Sequence, residues 1–178
     1  MAYFYLVSSL PLLKLGEEPP VSSEEFFRSC DGVLSESDYA DLRCILEGRL
    51  DDATSDFVQK WRDMDTQLRN MLARERAADR KLDPSPYIKS HNGYEIVMDQ
   101  AAEQAMSMDN PLDRELFLDR TRWHQLDELA LDDDFGAGAV FAFALKLKIV
   151  ERWAAMDTDT GNLRVEKILE HYMETVEI

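Results

Sequence analysis

Two cysteines, Cys30 and Cys44, and three histidines are all that 178 residues supply of the side chains that most often staple or ligate. Two thiols in a chain of this length make neither a disulfide framework nor a zinc site, so reduced thiols are the expectation. His91, His124 and His171 are scattered, whereas metal sites need clustered ligands, and no metal or other cofactor is expected. Long apolar runs are also missing. The run 137–145 is cut by Lys146 and Lys148, far short of the ~20 residues that cross a bilayer. No direct membrane insertion is expected, and membrane association would come through a partner. The start, MAYFYLVSSLPLLKLGEEPP, has no basic leader and runs into Glu17 and Glu18, unlike a signal peptide. Positive charge is the scarcer sign, with 20 basic against 36 acidic side chains and a net charge of -16. Phosphate would be repelled, which argues against nucleic acid as a partner and leaves a basic protein partner or plain solubility.

What is present is a soluble globular composition, 45% hydrophobic and 31% charged, with helix signals along most of its length. Ser22 with Glu25 forms a capping box, and Ser35 with Asp38 opens a segment that carries Tyr39, Leu42, Ile45 and Leu46 to a stop at Gly48. Phe57, Trp61, Met64, Leu68, Met71, Ala78 and Leu82 predict a long helix over 54–82, broken only by Glu75 and suited to a hairpin or coiled coil. Two prolines and an Asn-Gly pair in 82–95 stop it. Helices are predicted over 96–108, from Asn110-Pro111 onward, through the nearly all-apolar stretch VFAFALKLKIVERWAAM, and over 162–176. Only YFYLV at the N-terminus has strand character. The expected fold is all-α, a bundle or set of hairpins of about six helices. It forms one domain over 1–178, or two lobes, 1–82 and 95–178, joined by the turn segment 83–94.

Several motifs fail on inspection. A calcium loop starting at Asp157 needs glycine and glutamate where the chain has Asn162 and Ile168. Glu-x-x-His pairs of di-iron bundles are absent, since Thr121 and Ile168 stand three before His124 and His171. Asp134-Phe135-Gly136 lacks the other kinase elements, and Gly136-Ala-Gly138 lacks a third glycine and a preceding strand. No small-molecule substrate is evident.

Two features invite a site. On a helix, Asp119 shares a stripe with Leu112, Leu116, Trp123, Leu126 and Ala130, where a buried charge must be paired. The expected partner is a cation on the following apolar helix, Lys146, Lys148 or Arg152; the alternatives are a salt bridge to another protein, or catalysis with Glu151 and one histidine. The long helix carries the one basic island, Arg62, Arg69, Arg74, Arg76, Arg80 and Lys81. It reads as a solvated face or, more sharply, as a docking face for an acidic partner through Arg62, Arg69, Arg76 and Arg80.

YFYLVSSLP, EEPPVSSEEF, NPLDRELFLDRTRWHQLDELA and ALKLKIVERWAAMD resemble a bacterial family whose genes lie among those for V-type (A/V-type) ATPase subunits. Leu118-Asp119-Arg120-Thr121-Arg122-Trp123, then Leu126, Leu129 and Ala130, is similar to a helix pattern of the central-stalk funnel of those enzymes, the all-α component that seats on the rotor ring and receives the axle. The chain is much shorter than that funnel, lacks its internal repeats and carries Trp123 one place off the aromatic position. The resemblance implies an all-α, cofactor-free, non-catalytic accessory or central-stalk-like component. It would dock ATPase subunits, the rotor ring or axle, at the cytoplasmic face of the membrane. The other reading is a free-standing cytoplasmic interaction or regulatory protein.

Overall fold

The computed structural model describes residues 3–156. Among these the chain forms α1 (Phe4–Ser9), α2 (Ser23–Ser29), α3 (Glu36–Leu46), α4 (Asp56–Arg80), α5 (Ile96–Met106), α6 (Pro111–Ala130) and α7 (Ala137–Ala154), with no strand. The fold is therefore all-α, as the helix signals predict; the helix predicted over 162–176 lies outside the described residues.

Local chemistry opens three of these helices. The Ser22 hydroxyl accepts the Glu25 N–H at 3.2 Å, and the Glu25 carboxylate accepts the Ser22 N–H at 2.9 Å, a reciprocal cap that starts α2. Ser35 accepts the Asp38 N–H at 3.1 Å before α3, and Asn110 accepts the Leu112 N–H at 3.0 Å before α6. The longest helix starts differently. Ser55 makes no side-chain cap, and the buried Asp41 of α3 accepts the N–H groups of Thr54 at 2.7 Å and Ser55 at 2.8 Å. A carboxylate at that end also meets the positive pole of the helix dipole.

YFYLV forms α1 where its composition suggests a strand. A strand without a neighbour leaves its backbone groups unpaired, whereas a helix satisfies its own. Tertiary contacts then fix it: the Tyr3 N–H donates to the Phe135 carbonyl at 2.9 Å, and the Phe4 ring lies 4.9 Å from that of Phe135.

The core is built around α7, whose Val140, Phe141, Ala144, Leu147 and Val150 are fully buried. The valines, leucine and phenylalanine among them contribute roughly 1.5–3 kcal/mol each on burial, which makes this helix a main anchor of the fold. One continuous cluster of buried residues runs from Leu13 to Val150 and includes residues on both sides of the turn segment 83–94. That segment is fastened to α4 by two buried amides. Gln67 accepts the Glu95 N–H at 2.8 Å and donates to its carbonyl at 3.0 Å; Asn70 does the same for Lys89, at 3.0 and 2.7 Å. Each amide mimics a passing backbone, which lets an irregular segment lie against a helix without orphaned polar groups.

α6 and α7 are joined through a 3-10 turn, Leu131–Asp133, and Gly136. A Cβ on Gly136 would lie 1.8 Å from the Asp133 carboxylate, which itself accepts the Gly138 N–H at 3.0 Å. A side chain there would displace the Asp133 carboxylate from that bond. With α5 on one side and α7 on the other, α6 buries Leu118, Asp119, Gln125 and Leu126, while Leu112 is exposed and Leu116, Trp123 and Ala130 are half-buried. On α4 the buried line is Val58, Trp61, Met64, Leu68 and Leu72, and Ala78 and Leu82 of the predicted stripe are exposed. Among the described residues no helix is long and apolar enough to cross a membrane.

Candidate functional site: an ionic ladder beside an open groove

Asp119 sits near the middle of α6 with no exposed surface. Its Oδ1 accepts Arg122 Nη1 at 3.0 Å, and its Oδ2 accepts the Trp153 indole N–H at 2.6 Å and the Arg152 guanidinium. Arg122 turns its Nε to Asp65 of α4 at 2.9 Å, and Arg69 takes the other Asp65 oxygen at 2.7 Å. The result is a ladder of alternating sign, Arg69, Asp65, Arg122, Asp119, Arg152, running from α4 through α6 to α7. Removing such charges from water costs several kcal/mol each, which mutual attraction offsets only when the remaining donors and acceptors are also satisfied. Trp153 supplies the third donor that completes Asp119. Burial works against the charge on Arg122, yet Asp65 and then Asp119 outweigh it and hold the guanidinium above its usual range.

Of the three cations predicted for Asp119, Arg152 is its partner and the two lysines lie elsewhere. Lys146 pairs with Asp127 and sits 5.0 Å above the Trp123 ring; Lys148 pairs with Glu151 at 3.5 Å. The antiparallel register explains the choice: Asp119 faces the C-terminal turn of α7, and Asp127, two turns further along α6, faces the middle of α7. Arg122 follows Asp119 by three residues, a pairing distance on any helix. Asp65, on the buried face of α4 between Met64 and Leu68, gives the same signal as Asp119, a carboxylate on an apolar stripe. Trp153 as a donor leaves no such mark.

A groove of about 500 Å³ runs along the ladder, where Leu50, Trp61, Leu145 and Ile149 adjoin both the cations Arg69, Arg122, Lys148 and Arg152 and the carboxylates of Asp65, Asp119 and Glu151. The side chains of Arg69, Lys148 and Arg152 are 71%, 45% and 46% exposed, so each has donors left for a ligand. An adjoining groove of about 540 Å³ takes in Arg62, Lys89 and His91. Of the predicted docking residues, Arg62 and Arg69 line these grooves, both with carboxylate neighbours, and Arg76 and Arg80 are exposed further along α4.

Of the groups named for acid–base work, Asp119 and Glu151 line this same groove, each held by donors of its own. Glu151 accepts the Ser23 N–H at 2.7 Å and its hydroxyl at 2.6 Å, tying α7 to α2. Burial raises its proton affinity, but Ser23 and Lys148 outweigh that and hold the carboxyl below its usual range. Neither His91 nor His124 lines the groove that holds Asp119, and His171 lies outside the described residues. Burial pushes the Cys30 thiol up to about 11, which keeps it protonated at neutral pH. Among the described residues no group of His, Cys, Asp and Glu is placed to hold a metal ion. The arrangement offers an apolar surface edged by cations that are each paired with a carboxylate of the same groove.

Fold and site together define an all-α protein braced by an ionic ladder whose two carboxylates are buried. Residues 98–175, less than half of the chain, match a family described as a protein of unknown function, DUF2764. That stretch carries Asp119, Arg122, Arg152 and Trp153 but not Asp65 or Arg69. No curated protein matches the chain, and no solved structure does.

Proposed function

We propose that this chain is a non-catalytic accessory or central-stalk-like component of a bacterial V-type ATPase, docking its rotor ring or axle at the cytoplasmic side. The observation that carries the non-catalytic half is the saturation of Asp119: all three donors around it come from the protein, so proton transfer would require breaking its own scaffold. The likeness of Leu118-Asp119-Arg120 and the residues after it to the central-stalk funnel pattern supports the choice of complex. A brace across three helices suits a part that passes force, because close-packed helices transmit strain where a hinge would absorb it. The exposed cations of the groove, Arg69, Lys148 and Arg152, offer one docking surface.

The test is co-purification of the tagged full chain with ATPase subunits after mild, low-salt extraction of native membranes. Stoichiometric recovery of rotor or axle subunits is expected. Recovery of the chain without them would return it to the class of free-standing interaction proteins.

A further inference from the structure

The N-terminal segment and the α6–α7 turn hold apolar side chains in solvent at one corner of the molecule. Tyr5 is 88% exposed, Leu12 79%, Leu131 62% and Phe4 45%. They fall into two pairs, each of which meets the segment between α6 and α7. The Phe4 ring lies 5.7 Å from that of Tyr5 and 4.9 Å from that of Phe135, and Leu12 and Leu131 line one groove of about 570 Å³ with Leu10, Trp123 and Phe143. This corner is not a frayed end. The Tyr3 N–H bonds the Phe135 carbonyl, its hydroxyl donates to Asp38, and that hydroxyl accepts the Ser35 N–H at 3.0 Å. A segment pinned this firmly that still keeps its large side chains outward marks a contact surface.

Its edge is acidic. Asp127 and Asp134 line the groove; Asp132 and Asp133 stand on the turn beside it, Asp132 at the border with the next groove. Asp127 is taken by Lys146, among the described residues the one cation lining the groove, and Asp133 by the Gly138 N–H. Among the described residues neither Asp132 nor Asp134 has a cationic partner. The surface therefore combines exposed carbon with unneutralised carboxylate.

We propose that this corner binds a segment of a partner protein that is both apolar and basic, with aliphatic or aromatic side chains entering the groove between Leu12 and Leu131 and lysines or arginines meeting Asp132 and Asp134. Charge decides the occupant. A second copy packed on a two-fold axis would set these aspartates against their own images, on top of a net charge of -16 on each chain. An anionic membrane surface would be repelled for the same reason. The partner meets this corner whether or not it belongs to an ATPase.

The probe is a synthetic peptide of about 18 residues, roughly five helical turns, with leucine and lysine at helical spacing. A leucine–glutamate peptide of the same pattern and a serine–lysine peptide serve as controls. All three are titrated into the full chain by calorimetry. The leucine–lysine peptide should bind, about tenfold more weakly to the Leu12→Asp/Leu131→Asp variant and several-fold more weakly to Asp132→Asn/Asp134→Asn or in high salt. The controls should not bind. Leu12→Ser/Leu131→Ser provides the same comparison should the aspartate pair unfold the chain. Binding that is absent, that survives both leucine variants, or that the serine–lysine peptide reproduces would overturn the proposal. So would a wild-type dimer in sedimentation, or flotation with anionic vesicles, that the leucine variants abolish. Failure here leaves the co-purification result standing, and the reverse holds.

Discussion

The wall shared by α4, α6 and α7 buries charge, while the corner made by the N-terminal segment and the α6–α7 turn exposes carbon. In the wall every charge is tied to a second: Asp119 to Arg122, Arg152 and Trp153, Asp65 to Arg122 and Arg69. In the corner Tyr5, Leu12 and Leu131 face solvent with no such closure. The difference teaches where stability resides and where contact does. A buried ionic group is held by its partners and cannot be spared by any of them, whereas an exposed leucine contributes little to folding and is free to serve another protein.

The sharpest way to break this contrast is to empty the wall. Asp119→Ala leaves Arg122 and Arg152 without their shared carboxylate and should destabilise the chain by about 3–5 kcal/mol, read as a lower urea midpoint. Next come the amides that fasten the turn segment 83–94. Gln67→Ala or Asn70→Ala orphans one backbone N–H and one carbonyl, at about 1–3 kcal/mol, and hydrogen exchange at Glu95 or Lys89 should quicken correspondingly. A smaller effect belongs to acid. The folded pKa of Glu151 is depressed, so its contribution is complete above the ordinary carboxyl value of 4.5 and is lost as pH falls below it. Glu151→Gln should flatten the stability profile in that acid range and leave neutral pH less stable than wild type. Smallest of all, Leu12→Ser and Leu131→Ser should change stability by no more than about 0.5 kcal/mol by thermal unfolding. A large loss there would make the corner part of the core and erase the comparison.

Much of the fold is legible in the sequence because its helix starts are local. Ser22 with Glu25, Ser35 with Asp38, and Asn110 with Pro111 declare themselves within a few residues. What stays hidden is long-range. YFYLV has β-forming side chains, yet it docks on Phe135, more than 120 residues away, as α1. Asp41 capping α4 from α3, and Gln67 and Asn70 pairing with backbone 28 and 19 residues away, leave no trace in any short window. In the site, the apolar stripe around Asp119 announces a buried charge, but register decides which cation reaches it. Lys146, Lys148 and Arg152 are all on α7, and only the antiparallel docking of the two helices separates them. Asp65 carries the same signature on α4, masked by the basic residues around it.

The scaffold role of Asp119 is tested most directly by a double-mutant cycle with Arg152, using Asp119→Ala, Arg152→Ala and the pair, each followed by urea unfolding. The pair should be more stable than the two single effects combined would allow, by about 1–3 kcal/mol, because removing both partners leaves fewer uncompensated charges than removing the carboxylate alone. Unfolding midpoints for Asp119→Ala that match wild type, with additive effects around the cycle, would contradict the account.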